Sequence, residues 1–287
     1  MTATTFSRWG WHPVTIDFDP GYADEPWAGL CRSYPGADVY PASDFRVEWG
    51  PLFHRGRLDG SARVLLIGQD PAQHEAITRR ILVGEAGQRT QGFLARLGIT
   101  RSYVMVNTYL YSVYGQGGAN AHISDQAISD YRQAWLNALV GANQLEAIVT
   151  LGSLADTAYH HWLPHAPSGT SSIPHQHITH PTAPNSGAAA GGNYDALVQA
   201  MLANWNTALQ ALHPKISHPD VVTPLHLYGT AFQSGDDVEI PAADMPAGLP
   251  EWMRSLENWA DRSGSNSESK RATIVVTVPT DARPWDQ

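Results

Sequence analysis

The sequence predicts an α/β protein: a three-layer α/β/α sandwich around a central, mostly parallel four-stranded sheet, with an extension at each end. Two observations carry that prediction. Short apolar runs recur through residues 61–214, each closing at a glycine or a polar residue, and stretches of helical periodicity separate them. Strand-then-helix repetition implies parallel strands joined by right-handed crossovers. The carboxyl ends of the strands then gather on one edge, where open α/β sheets place their chemistry.

Residues 1–60 are rich in aromatics, Pro and Gly, with four Trp (Trp9, Trp11, Trp27, Trp49) and weak periodicity. They read as an N-terminal extension held to the core by its rings. Val64-Leu65-Leu66-Ile67 closes at Gly68 before Gln69-Asp70-Pro71, which predicts a buried strand over 63–68 and then a loop to about residue 86. Phe93, Leu94 and Leu97 predict a helix from Gln88 to Gly98. Tyr103-Val104-Met105-Val106 is the second strand, ending at Asn107, and a Tyr- and Gly-rich loop follows over 109–121. Ser124-Asp125 opens a helix to about Val140, with Ile128, Tyr131, Trp135, Leu136 and Leu139 inward. The third strand, 147–151, ends at Gly152-Ser153 and leads straight into a helix reaching about Trp162. Residues 163–192 form a long loop with a short strand near 177–179, and Leu197, Met201, Trp205, Leu209 and Leu212 pattern a helix over 194–212.

Residues 215–287 read as an appended C-terminal extension. It holds an acidic, Pro-rich segment (235–248), a short amphipathic helix (251–259), a polar linker (263–270) and a late strand (273–278). That strand either joins the sheet edge or pairs with the N-terminal extension.

A chain of 287 residues, 43% hydrophobic, can bury a sizeable core. No apolar run approaches the roughly 18 residues of a membrane span, and the first residues lack the basic-then-apolar pattern of a signal peptide. Cys31 is the only cysteine, so an internal disulfide and an iron–sulfur cluster held by four thiolates of this chain are excluded. A cytoplasmic location is expected. The net charge of −9 argues against a broad nucleic-acid-binding surface. Yet Pro51–Arg101 carries eight arginines against four acidic residues. These are either a patch that steers a phosphate backbone or solvated helix faces.

Three strand ends on one edge bring together Gln69-Asp70, Asn107 and Gly152-Ser153. That convergence is the bottom-up argument for a site there. Each residue alone has a plainer reading: Asp70 as the cap of the next helix, Asn107 as a turn residue, Ser153 as a helix cap. The histidines His160, His161, His165, His175, His177 and His180 raise the question of zinc. His160 and His161 are adjacent on a helix and diverge, and His175 and His177 fall in a loop with no Cys or His-Glu-x-x-His pattern, so no metal is expected.

Four short segments also carry a resemblance. Gly68-Gln69-Asp70-Pro71 resembles the water-activating motif of family 1 uracil-DNA glycosylases, and Val104–Thr108 resembles their Leu-Leu-Leu-Asn-Thr strand, with Asn107 at the base-reading asparagine. Leu151-Gly152-Ser153 is similar to their phosphate loop, and His180-Pro181-Thr182 to the start of their His-Pro-Ser-Pro-Leu motif. The matches keep the family's order over roughly residues 60–212. The segment Arg80–Gly87 instead resembles families 4 and 5, with Leu82 where those families have a base-stacking Phe. Ala72 stands where family 1 has the Tyr that excludes 5-methyl groups.

The resemblance implies a monofunctional uracil-DNA glycosylase that uses water as nucleophile, needs no cofactor and works as a monomer on single- or double-stranded uracil-containing DNA. Asp70 and His180 are then catalytic; Gln69, Ala72, Leu82 and Asn107 form the base pocket; Ser153, Pro181 and Thr182 grip DNA. Leu82 reads as either a core or a base-stacking residue. The family's duplex-probing Leu has no counterpart in Ala183-Pro184-Asn185. A uracil- or abasic-site-binding protein with little turnover is the alternative, and a non-DNA hydrolase of the same architecture is a third.

Overall fold

The structure is a computed structural model that describes residues 2–6, 13–114 and 119–283. Its elements in chain order are β1 (Thr2–Phe6), β2 (Pro13–Asp17), α1 (Trp27–Arg32), β3 (His54–Gly56), β4 (Val64–Gly68), α2 (Gln73–Thr78), α3 (Glu85–Arg96), β5 (Tyr103–Asn107), α4 (Gln126–Ala142), β6 (Ala147–Leu151), α5 (Ser153–Trp162), β7 (His175–Ile178), α6 (Ala183–Ala189), α7 (Tyr194–Leu212), β8 (Ala260–Arg262), α8 (Ser267–Ala272) and β9 (Ile274–Val276). Trp9, Trp11 and the glycines of the loop after Tyr114 lie outside the described residues.

The central sheet has the order β3-β5-β4-β6-β7. Four strands are parallel, as the strand–helix alternation requires, and β3 is antiparallel to β5. The fifth strand is the one the sequence hid. It is three residues long, and its central residue is a fully buried arginine, Arg55.

Alternate residues of each strand feed opposite layers. Val64, Leu66, Met105, Val149 and Ile178 pack with Phe93 and Leu94 of α3 and Met201, Trp205 and Leu209 of α7. Leu65, Ile67, Val104, Val106 and Ile148 pack with Trp135, Leu136 and Leu139 of α4 and Tyr159 and Trp162 of α5. Burial on both faces explains why β4 and β6 are continuous apolar runs.

The extensions are part of this packing. Trp27 stacks on Trp135 with ring centroids 5.5 Å apart. Asp244, fully buried, accepts from Arg55 at 2.8 Å and from Arg57 and Tyr103. Thus the C-terminal segment, read from sequence as appended, supplies the counter-charge that lets an arginine sit in an edge strand. The late strand takes neither place expected of it: β9 pairs with β8 as a separate antiparallel hairpin. Glu251–Arg254 is a single 3-10 turn rather than a longer helix, and the polar stretch near 263–270 contains the start of α8.

Candidate active site

Strand register aligns the strand ends. Asn107 lies opposite Gly68, the end of β4 adjoins that of β6, and Leu151 lies opposite Ile178. Two residues past Gly68, Leu151 and Ile178 come Asp70, Ser153 and His180. With neighbouring strands about 4.8 Å apart, the β4 and β7 ends stand about 10 Å apart across β6.

Gly68 leaves room for the Asn107 amide. A methyl group there would run into Asn107 Oδ1 and lie 3.7 Å from Leu82 Cδ1. The amide of Asn107 and the side chain of Leu82 therefore meet over the end of β4. Asn107 Oδ1 is buried and has no hydrogen-bond partner among the described residues. A buried carbonyl oxygen without a donor costs roughly 1–3 kcal/mol, a cost that a ligand donor would relieve.

Asp70 is held from both sides. Its Oδ2 accepts from the backbone N–H of Val113 at 2.9 Å, and its Oδ1 accepts from Gln69 Nε2 at 3.0 Å. Burial pushes its pKa up to about 6, against the lowering effect of those bonds and of Arg46. The Val113 contact comes from the loop after β5, fixed by Arg46, which donates to Val113 O at 2.6 Å and Ser112 Oγ at 3.0 Å. Neither Val113 nor Arg46 carries a sequence signal for this role.

His180 packs against Gly152, whose φ of +87° and 3.1 Å approach to His180 Cβ leave no room for a side chain. Burial pushes its pKa down to about 4, so the ring is neutral at pH 7. Its Nδ1 accepts from the Thr182 N–H at 3.3 Å, with Thr182 Oγ1 at 3.2 Å. Accepting at Nδ1 places the ring proton on Nε2, which makes Nε2–H a neutral donor.

Glu75 was not singled out in the sequence. It is buried, and its two oxygens accept from Ala72 N (3.0 Å) and Val83 N (3.1 Å). One carboxylate thereby ties the Asp70 loop to the Leu82 segment. Leu82 itself has φ +53°, a strained setting for a leucine. It is both core and pocket: 6% exposed, within the main apolar cluster, yet with Cδ1 over Gly68. Gly84 and Gly87 are spoken for by packing, Gly84 against the His74 ring and Gly87 against the Leu82 carbonyl.

Ala72 is exposed, and Ser153 is the exposed first residue of α5, next to Gly152. Thr182 is half-buried on His180. Pro181 is buried, and its carbonyl accepts from Arg89 at 2.8 Å, so it shapes the loop from inside rather than offering a surface to DNA.

The arginine-rich segment is not a phosphate patch. Arg55, Arg57, Arg80, Arg89 and Arg96 pair with Asp244, Asp19, Asp237 and Asp236, all from outside the segment, and Arg89 also with Glu85. Arg63 and Arg101 precede β4 and β5, at the opposite edge from the site. Arg79 donates to the carbonyls of Trp49 and Pro51.

The histidines lie differently from the sequence expectation. His175 lies in a strand, and Asp156, unconsidered there, joins it and His160 in a group able to hold a metal ion.

The structure is thus an α/β sandwich whose parallel strand ends present a carboxylate, an amide and a neutral imidazole. A family model for the uracil DNA glycosylase superfamily matches residues 55–216, more than half of the chain, and the chain belongs to that superfamily. It is accordingly a DNA glycosylase, an enzyme of base excision repair that acts on DNA. A search of curated proteins finds no match. Among the described residues no helix is long and apolar enough to cross a membrane.

Proposed function

We propose that this glycosylase hydrolyses the N-glycosidic bond of uracil in DNA, with water as nucleophile and an abasic site as product. The observation that carries the reading is the buried Oδ1 of Asn107 over Gly68, without a hydrogen-bond partner among the described residues, with Asp70 two residues past Gly68. An amide there accepts from the imide N3–H of uracil and donates to O4, the edge at which uracil and cytosine differ. The base leaves the stack before it is read.

As the C1′–N1 bond breaks, its electron pair departs with the base and the sugar becomes oxocarbenium-like. Asp70, ionised above about pH 6, stabilises that cation and orients the attacking water, whose proton it takes. His180 donates its Nε2–H to O2 as negative charge builds there, and its neutrality removes the need for a proton transfer. No lysine occurs in the matched motifs, so no Schiff-base step is invoked. The small, exposed Ala72 leaves 5-substituted uracils sterically acceptable.

Incubation with a uracil-containing oligonucleotide, followed by alkali, tests the reading. Cleavage at uracil is expected, and at 5-hydroxymethyluracil in a parallel substrate. Retention of the intact uracil strand with tight binding would favour a damage-binding protein.

A further inference from the structure

On the α5 side of the sheet's β7 edge, Asp156 and His160 stand one helical turn apart, and His175 opens β7 beside them. His160 Nε2 lies 3.6 Å from Asp156 Oδ2, and His175 Nε2 lies 3.4 Å from Asp156 Oδ1. One donor atom from each of the three residues falls within 4.8 Å of the others. Ligand atoms at zinc–nitrogen and zinc–oxygen distances, set tetrahedrally, are about 3.3 Å apart. Each imidazole thus lies near that spacing from one oxygen of the Asp156 carboxylate, and a closure of about 1.5 Å at most brings one donor atom of each residue to it.

Two of the donors are already oriented by neighbours. Thr150 Oγ1 donates to Asp156 Oδ1 at 2.8 Å. Having spent its one proton there, it accepts from His175 Nε2, 3.1 Å away. The Tyr159 ring stacks on His175 with centroids 4.0 Å apart. Such outer contacts are what hold metal ligands in place. His160, on the exposed side, is free to close over the ion.

We propose that Asp156, His160 and His175 form a site for a borderline divalent transition metal of the zinc class, with water completing the coordination. Two imidazole nitrogens and one carboxylate suit zinc and its neighbours, not the all-oxygen preference of magnesium or calcium. On binding, the His175 ring proton moves from Nε2 to Nδ1, and the metal replaces the Thr150 hydrogen bond. The bound ion clamps α5, whose first residue is Ser153, to β7, which leads toward His180. It is a structural clamp, and it stands or falls independently of the choice of base.

The test uses the full chain without a histidine tag, stripped with chelator and titrated with zinc sulfate by calorimetry in a non-coordinating buffer. One equivalent is expected to bind. Asp156→Asn and His160→Gln should each weaken binding tenfold or more, whereas His161→Ala, at an exposed neighbour, should not. Zinc should raise the melting temperature of the wild type and of His161→Ala but not of His160→Gln. Circular dichroism of His160→Gln, a change at an exposed position, checks that the fold is kept. Failure of the wild type to bind zinc would overturn the proposal, as would wild-type affinity in both Asp156→Asn and His160→Gln.

Discussion

Replacing Asp70 by Asn separates the role of the carboxylate in catalysis from its effect on stability. Burial raises the Asp70 pKa to about 6, against about 3.9 for an unfolded aspartate. The folded state thus holds the proton more tightly than the unfolded state, and the ionised form is a strain on the fold. At 1.36 kcal/mol per pKa unit, the penalty at pH 7 is about 3 kcal/mol. It is absent below about pH 4, where the carboxyl is neutral in both states, grows between pH 4 and 6, and is complete above.

Asn can keep both native bonds. Its Oδ1 accepts from Val113 N, and its Nδ2 donates to a flipped Gln69 amide, the groups that now hold the carboxylate. Asp70→Asn is therefore expected to stabilise the chain at pH 7 by up to about 3 kcal/mol, or about 5 °C in melting temperature for a chain of this size. That gain should vanish as the pH falls to 4. Single-turnover release of uracil should meanwhile drop about 100-fold or more, and wild-type turnover should decline as the pH falls through 6. Equal stability of variant and wild type at pH 7, together with undiminished turnover, would refute both the desolvated carboxylate and its role.

Two further substitutions probe the frame around it. Gly68→Ala drives a methyl group into Asn107 Oδ1; the expected result is loss of uracil release of at least tenfold with little change in the circular dichroism spectrum. Glu75→Gln leaves one of the Ala72 and Val83 amides without its acceptor; chemical denaturation should show a loss of about 1–3 kcal/mol, accompanied by a fall in turnover as the Asp70 loop and the Leu82 segment part.

What could be read from the chain was whatever repeats with a strand's or a helix's period. β4, β5 and β6 are apolar because both faces are covered, and their polar ends stand out for that reason. Asp70, Asn107 and Ser153 thus stand out at strand ends in the sequence alone. β3 does not, since its buried charge is balanced by Asp244, 189 residues away from Arg55, and no local pattern encodes a partner at that distance. The same holds for Glu75, whose role depends on Val83 folding back over it, and for Asp156, which meets His175 only because β7 lies beside β6.

That long-range pairing also resolves an electrostatic puzzle. An acidic DNA enzyme needs positive potential where the phosphates lie, and the arginine-rich segment cannot supply it, because acids from both extensions neutralise its buried guanidinium groups. Arg46 is near enough to Asp70 to act on its charge. Arg46 stacks on Tyr114 at 4.1 Å and Trp49 at 5.1 Å, and Arg271 lies over the same Tyr114 ring at 4.2 Å. Arg262, exposed on β8, is near enough to depress the Arg46 pKa by repulsion and has no acidic partner among the described residues. Glu48 sits among these cations, pairing with Arg271 at 3.3 Å and accepting from the Tyr114 hydroxyl at 3.0 Å, so the cluster is partly neutralised. In this chain the C-terminal extension has two electrostatic roles: Asp244 neutralises the sheet's edge arginines, while Arg271 pairs with Glu48 and Arg262 adds an exposed positive charge near Arg46.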